Sequence, residues 1–251
     1  MTTSIGRSST NTATPTKATY SFWIKGSGDG TQQGIFGWHR GSDSGNYWQG
    51  IYIATNNKMV FTWKQGGSYK QIRSPSQIFK DSQAWGHHVI TIDTTLTTAE
   101  DRMKWFYNGE RITAWADSSY TVAQDTTISN WSNSGDKIEI GTFYESSASR
   151  NLNNASMSHF NFIDGFAYDA SYFGETDATT GQWKIKTAPA VSYGSQGFFV
   201  LKDGNSLTDA SSNSNNFSLD GGTLTKTEDN PSNNFCTLNG QTKFRVNTVS
   251  T

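Results

Sequence analysis

The sequence predicts an all-β fold, a sandwich of two antiparallel sheets. Short segments with alternating apolar and polar residues recur along the chain, as at Lys58–Lys64, and a period of two is that of a β-strand. Turn signals such as Gly66-Gly67 separate these segments. No apolar pattern of helical period and useful length is present. Many short strands with turns between them are typical of a sandwich.

The stretch Trp85–Trp115 is predicted to form three strands of the central sheet. Apolar residues alternate along its first two strands. Asn108-Gly109 predicts a type I′ hairpin to a returning strand at Arg111–Trp115, because both turn positions need positive φ. Thr94–Asp101 is too polar for a core and is predicted to be a loop.

The rest of the chain is interpreted by the same alternation. A single helical turn is expected at Ala170–Phe173, and polar loops at Ala116–Gly135 and Glu145–Asn154. Further strands are predicted at Thr19–Lys25, Ile35–Trp38, Tyr47–Ala54, Lys58–Lys64, Tyr69–Arg73, Lys137–Thr142, Met157–Tyr168 and Phe198–Lys202. Pro75–Lys80 is predicted to cross between the sheets.

Composition restricts the partners and the compartment. Only 16% of the 251 residues are charged and the net charge is −1, so no nucleic-acid or anionic-membrane partner is expected. Cys236 is the only cysteine, which excludes an intrachain disulfide. The polar N-terminal stretch predicts neither a signal peptide nor a membrane span. Nine Trp, ten Tyr and fifteen Phe are expected mostly to fill the core, and the remainder are candidates for an exposed stacking surface.

Four sequence motifs carry a family resemblance. They are AWGHH, IDTT, WFYNGERIT and, at Phe162–Lys184, FIDGFAYDASYFGETDATTGQWK. They resemble concanavalin-A-like (laminin-G-like) jelly-roll domains and, more closely, a family of marine bacteriophage virion proteins, over most of Thr14–Leu238. The resemblance implies a jelly roll in which Thr19–Lys25 pairs with Met157–Tyr168, and a virion as the location. It also implies that His87 braces the sheet.

Three parts are then predicted. Residues 1–17 form a polar N-terminal arm or anchor, and residues 18–173 form the concanavalin-A-like jelly-roll domain. Residues 174–251 form a loop-rich C-terminal extension, which packs on that domain or docks to a neighbouring subunit.

No enzymatic activity is expected. Glycoside hydrolysis needs two carboxylates about 5–9 Å apart across the scissile bond. In the one candidate strand, Glu139 is followed two residues on by Gly141, so a partner acid is missing there. Glu100 and Asp101 are adjacent in a loop and would diverge. The nucleophile elbow Gly-x-Ser-x-Gly is absent.

No cofactor is expected, and calcium is left open. The four histidines have no zinc-ligand spacing, and His88 shares a face with Ile90 and Ile92, as a core histidine would. Hard cations need several loop oxygens. The weak calcium candidates are Asp203, Asn205 and Asp209, and also Asp43 and Asn46; solvated turn residues are the alternative interpretation.

Glycan binding is the expected ligand role. Sugar rings stack on exposed aromatic side chains, and polar loop residues hold the hydroxyls. Loops at His39–Trp48, Ala114–Trp131 and Thr142–Asn154 have this mixture. Their candidate residues are Tyr47, Trp48, Trp115, Tyr120, Trp131, Tyr144 and Arg150. Core packing is the alternative for each aromatic residue.

Two functions from different classes follow. The first is a non-catalytic adhesin on a tail or capsid fibre, which binds host surface polysaccharide. The second is a structural or decoration protein that uses the jelly roll as a rigid spacer. Either role implies other virion proteins as partners and a homo-oligomer, for which a trimer is the expectation.

Overall fold

Two large antiparallel sheets pack face to face around one core. The computed structural model describes residues 3–9, 14–26, 28–41, 44–79, 81, 83–128, 135–145, 148–153, 155–202 and 206–232. Its strands are β1 (Ser4–Ser8), β2 (Lys17–Gly26), β3 (Gln33–His39), β4 (Trp48–Ile53), β5 (Met59–Gln65), β6 (Ser68–Pro75), β7 (Gly86–Asp93), β8 (Met103–Tyr107), β9 (Glu110–Arg111), β10 (Trp115–Tyr120), β11 (Lys137–Ile140), β12 (Thr142–Glu145), β13 (Ala148–Asn151), β14 (Ala155–Asp164), β15 (Gly174–Thr176), β16 (Trp183–Ile185), β17 (Phe198–Val200) and β18 (Ser218–Gly221). The predicted all-β sandwich is confirmed.

The sheets have eight and six strands. The eight-stranded sheet runs β10-β6-β5-β4-β3-β11-β1-β18, and the six-stranded sheet runs β17-β14-β2-β7-β8-β9. Two short hairpins, β12–β13 and β15–β16, lie outside them. No helix among the described residues has the length and apolar character needed to cross a membrane.

Aromatic side chains join the two inner faces. Tyr20 of the six-stranded sheet meets Phe36 of the eight-stranded sheet edge to face, with ring centroids 5.3 Å apart. Its hydroxyl donates to Gln49 Oε1 at 2.5 Å, which satisfies a polar group that is costly to bury alone. This core explains why most of the aromatic residues are not available at the surface.

Several local predictions are confirmed. Asn108 and Gly109 have φ of 46° and 87°, as a type I′ turn requires. Strands β2 and β14 are neighbours, with Tyr20 opposite Phe162. A 3₁₀ turn occupies Ala170–Tyr172.

The returning strand predicted at Arg111–Trp115 is wrong. Strand β9 ends at Arg111, and β10 joins the other sheet as an edge strand beside β6. Two inward side chains of β6 hold it there. The Arg73 guanidinium lies 5.1 Å from the centre of the Trp115 ring, and Gln71 Nε2 donates to the Tyr120 carbonyl at 2.8 Å. The loop predicted at 116–135 therefore begins with strand residues.

The polar N-terminal arm predicted at residues 1–17 is wrong for β1. This strand lies inside the eight-stranded sheet, between β11 and β18, because Ile5 enters the core with 2% of its surface exposed. The Arg7 side chain donates from Nη2 to Asn215 Oδ1 at 2.7 Å. The segment after residue 173 likewise supplies β17 to one sheet and β18 to the other, so the predicted extension contributes edge strands to the sandwich.

The outer face of the six-stranded sheet is covered by the long motif that carries the resemblance. Val89 and Ile163 on that face form a second apolar cluster with Ala170 and Phe173, and Trp183 packs against it. His87 lies beneath Trp183, whose Nε1 donates to His87 Nδ1 at 3.0 Å. The outer face of the six-stranded sheet is therefore covered around His87.

Candidate functional site

The outer face of the eight-stranded sheet has a floor of glycines under an aromatic ring. Gly37 of β3 is paired with Gly50 of β4, and Gly34 lies three residues before Gly37 in the same strand. A Cβ atom on Gly50 would lie 2.6 Å from Phe143 Cδ2, and one on Gly37 would lie 2.9 Å from Phe143 Cα. Only residues without a side chain allow Phe143 this approach.

Phe143 anchors the β12–β13 hairpin to this floor. Its side chain is fully buried and stacks on Tyr52 at 4.8 Å with ring planes 5° apart. The loop predicted at 145–154 is therefore wrong where β13 lies, because strand pairing extends from Thr142 opposite Asn151 to Glu145 opposite Ala148. The hairpin covers one part of the outer face and leaves the part near β6 and β10 uncovered.

On that remaining part, three aromatic residues form a continuous group, which we call the aromatic row. It consists of Trp48, Tyr69 and Tyr120. Ring centroids are 6.2 Å apart between Trp48 and Tyr69 and 5.3 Å apart between Tyr69 and Tyr120. The exposed fractions are 2%, 36% and 45% in that order. The row thus presents two exposed rings supported by a buried one.

A positive charge accompanies the aromatic row. Lys64 of β5 is paired with both Trp48 and Tyr69 across the sheet, so all three side chains share a face. Lys64 Nζ lies 5.4 Å from the Tyr69 ring centre. The group can therefore offer ring faces, phenolic hydroxyls and an ammonium group to one ligand.

The structure brings some of the sequence-predicted residues to this face. Tyr120 is exposed on it, whereas Trp48 is buried and cannot itself stack on a sugar. Tyr144 lies at the other side, stacked on His39 at 4.7 Å. Arg150 is half-buried, and its Nε donates to Gln32 Oε1 at 3.0 Å.

Other predicted residues lie elsewhere. The Arg40 guanidinium covers the Tyr47 ring at 3.8 Å, and both Tyr47 and Trp115 pack against the core cluster. Their faces are therefore used within the protein. Trp131 lies outside the described residues.

Tyr69 was missed as a site residue, although the sequence contains a signal for it. The two-residue turn Gly66-Gly67 places Gln65 opposite Ser68 and Lys64 opposite Tyr69. Because Trp63 points into the core, Lys64 and its partner Tyr69 must point outwards. This pairing register alone places Tyr69 on the outer face. Its contact with Tyr120 depends on β10, whose position was predicted wrongly.

A carboxylate neighbour of Glu139, not found in the sequence, comes from β18. The side chain of Asp220 is within hydrogen-bonding reach of Glu139, and Lys137 Nζ lies 4.0 Å from Asp220 Oδ2. Burial raises the pKa of Glu139, but its hydrogen bond and ion pair with His39 at 3.4 Å outweigh burial and leave the pKa lowered. A general acid needs the opposite shift.

Asp209, a weak calcium candidate, is saturated by hydrogen bonds. Its Oδ1 accepts from the backbone N–H groups of Phe199 and Ser211, both at 2.8 Å. Its Oδ2 accepts from the Ser211 hydroxyl at 2.7 Å and from Asn215 N–H at 2.8 Å. These donors occupy the lone pairs that a hard cation would need, so Asp209 organises the loop between β17 and β18.

The other calcium candidates do not form a site in the part of the chain that is described. Asp203, Asn205 and Asp43 lie outside the described residues, and Asn46 is exposed. Within the described residues, no group of three or more His, Cys, Asp or Glu side chains could hold a metal ion. Calcium binding stays a prediction.

Asp209→Asn is expected to lower the free energy of unfolding by roughly 2–3 kcal/mol, because in either orientation the amide NH₂ would face at least one buried N–H donor. Urea unfolding measures the loss. Asp169→Asn is the matched control, since Asp169 accepts the same two bonds from Ser171 at an exposed turn; its expected loss is under about 1 kcal/mol. Equal losses would contradict the structural role of Asp209.

Comparison with known proteins gives likenesses of fold. No protein-family model and no curated protein sequence matches the chain. Among solved structures, it is similar to a heptameric SAP-like pentraxin from Limulus polyphemus, with 14% identity, 65% of this chain and 70% of that chain covered, and a TM-score of 0.45.

Two bacterial structures are similar to the same extent. The CBM40 of the Ruminococcus gnavus IT-sialidase, bound to α2,6-sialyllactose, shares 13% identity over 63% of this chain and 81% of that chain, with a TM-score of 0.45. The NanB sialidase from Streptococcus pneumoniae shares 15% identity over 65% of this chain and 26% of that chain, with a TM-score of 0.44. At these values the likenesses show the fold alone.

Proposed function

We propose that the protein is a non-catalytic adhesin of a bacteriophage virion, which binds a host surface glycan on the outer face of its eight-stranded sheet. The observation that carries the proposal is the aromatic row. Tyr69 and Tyr120 are exposed and in contact on a sheet face, whereas most other aromatic side chains are buried. Contiguous exposed apolar patches commonly mark binding surfaces, and the two rings form such a group.

The chemistry of the row suits a sugar. The C–H groups of a sugar ring stack on an aromatic face, and its hydroxyls need nearby hydrogen-bonding groups. The Tyr69 and Tyr120 hydroxyls and Lys64 Nζ supply such groups beside the rings. Trp48 packs against Tyr69, and Phe143 packs against Trp48, so the platform is held in place before a ligand arrives.

The virion context rests on the resemblance carried by WFYNGERIT and by the long motif at Phe162–Lys184. An adhesin built on one shallow platform binds each sugar weakly. A symmetric oligomer, for which we propose a trimer with other virion proteins as its support, multiplies such contacts into stable attachment.

The absence of catalysis is part of the proposal. The pKa of Glu139 is lowered, the opposite of the shift that the general acid of a glycosidase needs, and Lys137 Nζ lies 4.0 Å from Asp220 Oδ2. Binding is therefore expected to leave the polysaccharide intact.

Binding to cells tests the proposal. The purified oligomer is incubated with a panel of marine bacterial strains, before and after enzymatic removal of their surface polysaccharide, while released reducing sugar is measured. Binding that disappears with the polysaccharide, with no sugar released, is the expected result. Failure to bind any strain, or binding unchanged by the removal, would overturn it.

A structural decoration role is the second candidate, and a specific surface favours it. Phe166, Tyr168 and Tyr172 form a second aromatic group, with ring centroids 5.9 and 4.6 Å apart along the series. Phe166 is 43% exposed and Tyr172 is 42% exposed. We call this group the motif patch, since it lies in the long motif. If it docks on another virion protein, Phe166→Ser with Tyr172→Ser should abolish incorporation into particles and leave folding unchanged.

A further inference from the structure

A cavity of about 210 Å³ opens at one end of the sandwich, away from the aromatic row. It lies between β5 and β6 of one sheet and β7 and β8 of the other, under the segment that crosses between the sheets. Its walls are mainly apolar and include Met59, Phe79, Ala84, His88 and Tyr107. Ile78 at its border is 53% exposed.

His88, which lines the cavity, has a buried polar atom without a hydrogen-bond partner among the described residues. His88 is 5% exposed, and its Nδ1 accepts a hydrogen bond from Trp105 Nε1 at 3.1 Å. Because indole N–H is only a donor, Nδ1 of His88 carries no proton, so the proton of the neutral ring is on Nε2. Nε2 is buried and has no hydrogen-bond partner among the described residues. Buried donors in native proteins are nearly always paired.

The charges around the cavity restrict what could pair with it. Burial lowers the pKa of His88 to about 3, so the ring is neutral at physiological pH and acts as a donor. Burial raises the pKa of Tyr107, and the nearby Asp81 carboxylate raises it further. Asp81 also lines the cavity, and its negative charge disfavours an anionic ligand.

We propose that this cavity is a binding site for a small uncharged organic molecule, the size of one substituted six-membered ring, which accepts a hydrogen bond from His88 Nε2. The volume fits such a molecule, since an engineered apolar cavity of about 150 Å³ binds benzene. The apolar walls contact the ring, and a carbonyl or ether oxygen supplies the missing acceptor. The site is separate from the glycan platform, and either can fail without the other.

Two probes of the same shape test the site. Acetophenone has a carbonyl oxygen where α-methylstyrene has a CH₂ group, so only acetophenone can accept from Nε2–H. We expect ligand-detected NMR titration of the whole protein to show acetophenone binding roughly fivefold more tightly, as one neutral hydrogen bond predicts. Acetophenone should also shift the ¹⁵N and ¹H resonances of His88 Nε2–H, and α-methylstyrene should not.

Three variants separate the contributions. His88→Phe should remove the preference for acetophenone, whereas Tyr107→Phe should keep it. Ala84→Leu adds bulk at an exposed position of the cavity wall and should weaken both probes without affecting the fold. The proposal is overturned if neither probe binds the wild type, if Ala84→Leu leaves both affinities unchanged, or if the preference survives in folded His88→Phe. If His88→Phe does not fold, the Nε2–H shift in the wild type decides.

Discussion

Mild acid is expected to destabilise the protein strongly, beginning as the pH falls below about 6.5, the unperturbed pKa of histidine. Burial lowers the pKa of His88 to about 3. Burial also lowers the pKa of His87 well below its usual value, with further lowering by His88 and His159. In the unfolded chain both rings take up protons near pH 6.5, while in the folded protein they stay neutral.

The sign and size follow from this difference. A group whose pKa is depressed by folding stabilises the native state above its unfolded pKa, and this contribution is lost as the pH falls. Each histidine can remove up to roughly 1.4 kcal/mol per pH unit within the window. For His88 the window extends to about pH 3, and unfolding should precede its lower end.

Urea unfolding from pH 8 to pH 4 measures this effect. The wild type should lose stability steadily below about pH 6.5, and His88→Phe should show a shallower slope whatever its stability at pH 8. His87→Phe is a harsher variant, because His87 bonds to Ser21 at 2.9 Å and to Trp183 at 3.0 Å. Stability that stays constant from pH 7 to pH 4.5 would contradict the neutral burial of both rings.

Phe143→Ala is expected to lower the free energy of unfolding by roughly 3–5 kcal/mol, the range for truncating a fully buried phenylalanine. The loss leaves a void over Gly50 and beside Tyr52, and Gly50 has no side chain to fill it. Chemical unfolding measures the stability, and hydrogen exchange of β12 and β13 should rise because the hairpin loses its anchor. Phe143→Leu is the matched control and should lose less than half as much. A loss below about 1 kcal/mol for the alanine variant would show that the hairpin is not held by this ring.

The central strands could be predicted from sequence because their patterns are local. Alternation located β7 and β8, and Asn108-Gly109 specified the turn to β9. The pairing of β2 with β14 came from the resemblance, since nothing local connects segments so far apart in the chain. In each of these cases the sequence pattern and the tertiary contacts favour the same structure.

Elements stabilised by distant partners were missed. Strand β1 looks polar alone, and it is a strand because Ile5 enters the core and because Arg7 meets Asn215. Strand β10 has few apolar residues, and it is positioned by the side chains of Gln71 and Arg73. Sequence periodicity does not reveal such contacts. For this reason β1 is predicted as part of an arm, and β10 as the end of a strand followed by a loop.

Only part of the candidate site could be predicted from the sequence, because it also depends on contacts between distant segments. Tyr120 was identified by residue type, and Trp48 was identified but proves buried. Tyr69 completes the platform through a contact with β10 that only the fold creates. The glycines beneath the β12–β13 hairpin are individually unremarkable in sequence. Their role depends on Gly50 of β4 meeting the Phe143 ring, and on Gly34 and Gly37 of β3 meeting the hairpin backbone.

The most direct test of the glycan platform is the affinity of matched double variants for polysaccharide-bearing cells. Tyr69→Ser with Tyr120→Ser removes the exposed rings of the aromatic row, and Phe166→Ser with Tyr172→Ser removes a similar exposed area at the motif patch. The Tyr69/Tyr120 double variant is expected to bind roughly tenfold more weakly or worse, while the Phe166/Tyr172 double variant binds as the wild type does. Circular dichroism should show that both double variants are folded. Unchanged binding in the first pair, or a loss confined to the second, would contradict the account.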